Sequence, residues 1–199
     1  MANFTVDQDE VSLDELVKSL GTINSLKCVT LAANKQAKAH FTGDALALLC
    51  ADNQFEELRL ANFRLWPEQY DIISTAVALT TTLKTLRLNH VGMAQPCSVK
   101  LAAGLAQNAS LTKLDLSCNN IDDVGVTALA KSLHGNTTLK HWRFWDNKQI
   151  GVAGFAALAD LLEVNTTLEK LDAPNTSETE YRAKIDYLMK KNREAAIAA

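Results

Sequence analysis

His90, Cys118 and Asp146 stand 28 residues apart, and they are the residue types that a thiol nucleophile, its base and an orienting carboxylate would need. A metal held by His90, Cys118 and His141 is the other chemistry to weigh. Neither gathers support. The four cysteines (Cys28, Cys50, Cys97, Cys118) are 22, 47 and 21 residues apart with no C-x-x-C pair, so the spacing suits neither zinc nor a disulfide framework. No fourth ligand accompanies the two histidines and the thiol, and the eight glycines form neither G-x-G-x-x-G nor G-x-x-x-x-G-K. His40 and His134 read as solvated or capping residues. The chain is therefore expected to be no enzyme and to use no cofactor and no metal, with His90, Cys118 and Asp146 as polar surface positions.

A separation of 28 residues acquires meaning because the whole chain repeats at that period. Leu26, Phe55, Leu83, Leu111, Leu139 and Leu168 are spaced by 29, 28, 28, 28 and 29 residues. Each opens the pattern L-x-x-L-x-L-x-x-N, clearest in Leu111-Thr-Lys-Leu114-Asp-Leu116-Ser-Cys-Asn119. The fourth and sixth positions are apolar and alternate with polar residues, as a short strand with one buried face requires. The period then lengthens. Val124, Ala128, Leu129 and Leu133, like Phe155, Leu158, Leu161 and Leu162, fall at helical spacing and lead into Asn-Thr-Thr turns. One strand and one helix per unit cannot bury their apolar faces alone, so the units must stack.

These motifs, with LAKSLHGNTTL at 129–139 and LADLLEVNTTL at 158–168, resemble the leucine-rich repeat of the ribonuclease-inhibitor-like subfamily. The resemblance covers about residues 26 to 176. It implies an α/β fold: a short curved solenoid with a parallel sheet of about six strands on the concave side and helices on the convex side. The asparagine that this family uses at the ninth position is present at Asn34, Asn119 and Asn147. Phe63, Val91 and Thr176 replace it elsewhere, so irregular turns are expected in repeats two and three. Pro67 and Pro96 fit the starts of helices, where the first N–H groups lack partners.

The flanks look like caps. Ser12-Leu-Asp-Glu15 reads as a capping box opening an N-terminal helix within residues 1–25, and Ser177-Glu-Thr-Glu180 repeats the device for a C-terminal helix within 177–199, frayed after Arg193. The chain is read as one complete structural domain. Its 47 % apolar content supports a continuous core, and a net charge of -3, from 20 basic and 23 acidic residues, lacks the excess that nucleic-acid binding needs. No apolar run reaches the roughly 18 residues of a membrane span, and no signal sequence opens the chain. A cytoplasmic protein is expected, in which the sequons at Asn3, Asn108, Asn136, Asn165 and Asn175 stay unmodified.

In such a sheet the third, fifth and seventh positions of each unit face the open concave side. The third row is Cys28, Glu57, Thr85, Lys113, His141 and Lys170; the fifth is Thr30, Arg59, Arg87, Asp115, Arg143 and Asp172; the seventh is Ala32, Ala61, Asn89, Ser117, Trp145 and Pro174. The alternating fifth row is either a self-neutralising ladder or a surface into which a partner's charges break. Arg59 and Arg87 are the stronger anchors because no acid lies beside Arg59 in its row, although Glu57 could partly serve. Trp145 is either a contact residue or a lid over its neighbours. Trp66, before Pro67, is a rim candidate for which inward packing is the preferred reading.

The candidate partner-binding residues are thus Glu57, Arg59, Trp66, Arg87, Asn89, His90, Lys113, Asp115, His141, Arg143, Trp145, Asp146 and Asp172. The subfamily includes tropomodulin-like actin regulators, small-GTPase activators, immune receptors and delivered bacterial effectors; any tropomodulin likeness is confined to the repeats, with no separate actin-binding helical segment seen in 1–24. The resemblance implies a protein-protein interaction module, monomeric alone, serving as a regulatory adaptor or as an effector acting in a host cytosol. The alternative is a structural subunit that meets its neighbours through helices or solenoid ends. The strand rows span about 24 by 13 Å, or roughly 300 Å². That is short of the roughly 800 Å² per partner of a standard interface, so adjoining loops must take part.

Overall fold

Alternation of apolar and polar side chains along each unit yields strands that bury one face and leave the other open. The computed structural model describes residues 26–33, 42–44, 46–47, 55–174 and 179–198, with the backbone of 2–6. The strands are β1 (Ala2–Val6), β2 (Cys28–Ala33), β3 (Glu57–Ala61), β4 (Thr85–Asn89), β5 (Lys113–Asp115), β6 (His141–Arg143) and β7 (Lys170–Asp172). They form one parallel sheet in chain order, in which each residue pairs with its counterpart one repeat away. β1 is a strand beyond the six that the repeat pattern suggests. It pairs with β2 through the register Ala2 with Val29, although no leucine-rich anchor marks it. The N-terminal helix read from Ser12 onward, the turn at Asn34 and the capping box at 177–178 lie outside the described residues.

Among the described residues, the helices on the other side include α1 (Gln69–Leu79), α2 (Gln95–Leu105), α3 (Asp123–Ser132), α4 (Val152–Val164) and α5 (Thr179–Ala198). Pro96 occupies the first turn of α2, as the sequence suggests. The core between the layers holds the fourth and sixth positions of the units from Val29 and Leu31 through Leu86 and Leu88 to Trp142 and Phe144. Leu171 and Ala173, in the last unit, are only partly covered. In α3 the inward stripe is Val126, Leu129 and Ala130, followed by Leu133; Val124 points to solvent, because it stands in the first turn on the far side from this stripe. α5 seals the last repeat with Ile185, Leu188 and Met189 and continues helical to Ala198, with exposed side chains beyond Asn192.

Glycine lets neighbouring helices approach where a side chain could not fit. A Cβ at Gly104 would lie 2.2 Å from the Ser74 carbonyl oxygen, and Ser74 Oγ donates to the Lys100 carbonyl across the same α1–α2 contact.

Two asparagine ladders hold the units in register. Asn119 Nδ2 donates to the carbonyls of Leu88, Leu116 and Ser117, while its Oδ1 accepts from the N–H groups of Val91 and Met93. Asn147 repeats this with Leu116 and Phe144 as acceptors and Ile121 N–H as donor. The second ladder ends the helical segments. Asn108, Asn136 and Asn165 each accept from the N–H groups two and three residues ahead, and each donates to a carbonyl of the preceding unit. These are three of the Asn-x-Ser/Thr sequences, and their amides are committed to the fold.

Candidate functional site

The concave strand positions and the turns that follow them carry most of the candidate residues. Asn62, His90, Cys118 and Asp146, one per repeat, all have left-handed backbones with φ between 53° and 63°. The first turn residue therefore keeps one conformation even where Phe63 and Val91 replace the ninth-position asparagine, while repeat three adds a second left-handed residue, Gly92, at φ 71°. The Val91 N–H is satisfied by Asn119 of the next unit, and Asn62 Nδ2 bonds the Ala33 carbonyl. The departure expected in repeats two and three is thus confined to Gly92 in repeat three, and the left-handed turn residue itself is common to all four repeats. His90, Cys118 and Asp146 thus share a turn conformation rather than a reaction geometry. Asp146 pairs with Lys148 at 3.6 Å, and His90 is exposed.

Among the described residues no group of three His, Cys, Asp or Glu side chains could hold a metal. The thiols of Cys28 and Cys97 are pushed above the ordinary cysteine range, chiefly by burial, which disfavours the thiolate. In Cys28 the neighbouring Glu57 charge adds to the effect, and the thiol donates to Glu57 Oε2 at 3.5 Å.

The charges of the fifth row are partnered differently from a simple alternation. Arg143 sits between two acids, with Nε 3.0 Å from Asp172 Oδ2 and Nη1 3.7 Å from Asp115 Oδ2. Asp115 Oδ1 also accepts from Asn89 Nδ2, Ser117 N–H and Ser117 Oγ. Arg87 turns the other way, its Nε 3.1 Å from Glu57 Oε1. Glu57, weighed as a partner for Arg59, serves Arg87 instead; Arg59 is exposed and has no carboxylate partner among the described residues. Lys113, in the third row, is likewise exposed and without one.

The concave face is narrower than the three-row scheme. β5, β6 and β7 end at the fifth position, so Ser117 and Pro174 are buried in the turn, as is Ala61 at the end of β3. Trp145 escapes this and is 49 % exposed. Trp66 is 51 % exposed with the Arg64 guanidinium 4.6 Å from its ring centre. The preferred inward packing of Trp66 is therefore corrected: Leu65 and Phe63 fill the core there and leave the indole on the rim. A groove of about 300 Å³ runs over β4 to β7, with Arg87, Lys113, His141, Arg143 and Lys170 in its walls. Burial and the neighbouring Lys113 charge hold the His141 imidazole below the usual histidine range.

The side chains that the sequence reading missed are structural: the Asn108, Asn136 and Asn165 ladder and the helix-packing glycines. The asparagines recur at the repeat period, whereas Gly104 has no glycine one repeat before or after it.

An open parallel sheet with one strand per 28-residue unit and helices on its convex side defines a leucine-rich repeat protein. Within that class the chain belongs to the TMOD/LMOD leucine-rich domain family, whose model matches residues 45–195. Leiomodin-3 of Mus musculus is 31 % identical over 123 residues, which is 60 % of this chain and 21 % of leiomodin-3. The human capping protein, Arp2/3 and myosin-I linker protein 3 is 28 % identical over 159 residues, 80 % of this chain and 10 % of that protein. The chain thus spans about a fifth or less of the length of these relatives. Among solved structures, one described as leiomodin-1 actin-binding site 2 superposes with a TM-score of 0.63 at 26 % identity, covering 67 % of this chain and 78 % of that one. The tropomodulin C-terminal domain of Caenorhabditis elegans shares the fold, with a TM-score of 0.63 at 13 % identity over 92 % of this chain and 96 % of its own.

Proposed function

We propose that this chain is a non-enzymatic binding module of the actin cytoskeleton, a regulatory adaptor that docks actin or an actin-associated protein on its concave face and the adjoining Trp145 and Trp66 turns. One observation carries the reading: Arg59 and Lys113, which have no carboxylate partner among the described residues, stand on a sheet face bordered by the turn of half-exposed Trp145, a combination of charge and aromatic anchor typical of interface centres. The choice of actin rests on the likeness to leiomodin-1 actin-binding site 2 and on membership of the TMOD/LMOD family. That same membership favours an adaptor over a delivered effector, and a cytoplasmic site of action follows from the partner. Among the described residues no helix is long and apolar enough to cross a membrane.

The test is binding to purified monomeric and filamentous actin, by gel filtration and co-sedimentation, of the wild type and the double substitution Arg87→Glu with Trp145→Ala. Binding by the wild type that the folded double variant loses supports the reading. Undiminished binding moves the interface to the helices or solenoid ends, and no binding to either form removes actin as the partner.

A further inference from the structure

The concave strands carry five cations, Arg59, Arg87, Lys113, Arg143 and Lys170, against three acids, on a chain whose overall charge is -3. All three acids are already engaged. Glu57 is held by Arg87, Asp115 by Asn89, Ser117 and Arg143, and Asp172 by Arg143 and Lys170. The surplus is positive and includes two cations with no carboxylate partner among the described residues, Arg59 and Lys113. Lys113 lines the groove, and His141 stands between it and Lys170 in register on adjacent strands.

Resting on the reading that this face binds a protein, we propose that its occupant is an extended acidic segment of the partner, whose carboxylates meet Arg59, Lys113 and Lys170. These residues sit on β3, β5 and β7, every second strand, and so lie about 10 Å apart across the sheet. A polyproline-type segment returns the same face every three residues, or about 9.3 Å, so glutamates at every third position match the spacing. Arg59 is set two residues further along its strand than Lys113 and Lys170, an offset of about 7 Å that long side chains can span. Arg143 and Lys170 together balance Asp115 and Asp172, so Arg59 and Lys113 set most of the affinity and Lys170 adds to it by exchanging Asp172 for a carboxylate of the partner. Such contacts supply specificity through charge complementarity and weaken with added salt.

The probe is a fluorescein-labelled Glu-Pro-Pro-Glu-Pro-Pro-Glu peptide, with a counterpart carrying Gln for each Glu, followed by anisotropy at low and high salt. The expected result is binding of the Glu peptide at least about tenfold tighter than the Gln peptide. Lys113→Glu should weaken it by a similar factor, and Arg59→Glu should do the same. Lys113→Gln should give an intermediate loss, and Lys190→Glu on α5 should give none, with unfolding midpoints checked for each. Equal binding of the two peptides, or Glu-peptide binding indifferent to Lys113 and Arg59, overturns the inference. A chain that binds actin through Trp145 yet ignores the acidic peptide refutes this inference alone; one that binds the peptide through Lys113 but not actin supports it and refutes the choice of actin.

Discussion

Asn119 is 5 % exposed and satisfies five backbone groups in two repeats, so its amide is a stitch between units as well as a turn residue. Asn119→Ala would take the acceptor from the Val91 and Met93 N–H groups, whereas the Leu116 carbonyl keeps Asn147 and the Ser117 carbonyl keeps the His90 N–H. Each such loss costs about 1 to 3 kcal/mol, and urea unfolding should show a loss of at least that size. Asn119→Asp should be damaging as well, because its carboxylate cannot donate to Leu88, Leu116 and Ser117. A different effect belongs to His141, whose surroundings include Lys113, Lys170, Glu169 and Asp172. Its folded pKa lies below the usual value, so the unfolded chain takes up the proton first. The contribution of neutral His141 is complete above the unfolded value of about 6.5 and is lost as pH falls through the lower folded value. Urea midpoints measured from about pH 7.5 down to about pH 5.5 should therefore fall further in wild type than in His141→Gln.

At the scale of elements, the helix layer depends on contacts that reach from one repeat into the next. Asp123, inside the first turn of α3, accepts with Oδ1 from the N–H groups of Gly151 and Gly154, the start of α4. Its carboxylate thus caps the following helix and meets the positive end of that helix dipole. Asp122 caps α3 itself by accepting from Gly125 N–H. Asp123→Ala should cost about 1 kcal/mol, read as a lower denaturant midpoint, with the loss centred on α4 in hydrogen exchange. Gly104→Ala tests the close approach of α1 and α2. The added methyl would meet the Ser74 carbonyl, which is backbone and cannot rotate away, so the helices must separate. A destabilisation of about 1 to 3 kcal/mol is expected, although alanine is the better helix former.

The whole molecule is a stack in which each unit touches its neighbours, so its ends matter as much as its middle. α5 closes the last repeat by burying Ile185, Leu188 and Met189, and Asn192 Nδ2 donates to the Asn165 and Leu168 carbonyls. Removal of residues 179–198 would bare the apolar side of α4 and unpair those carbonyls. The truncated protein should melt at lower temperature and bind a hydrophobic dye, with the loss spreading inward from α4 rather than striking all repeats alike. Order in this stack also serves the proposed binding face, since the strands that carry the cations need no backbone rearrangement on meeting a partner.

How much of this could be read from the chain alone follows from the range of each interaction. The 28-residue period, the strand-to-helix alternation and the burial of Leu86 with Leu88 or Trp142 with Phe144 were legible, because hydrophobic periodicity is local and recurs in every unit. The concave rows followed from the same alternation. Tertiary structure alone decided that Glu57 serves Arg87 rather than Arg59, and that Arg143 holds two aspartates while Lys113 holds none among the described residues. It alone decided that Ser117 turns inward whereas Trp145 and Trp66 stay on the rim, and that Ala2–Val6 adds a strand with no leucine anchor. Those outcomes depend on how long side chains reach between repeats and on where each strand ends. Composition and period place a residue in a row; only the packed neighbours determine whether its charge is spent.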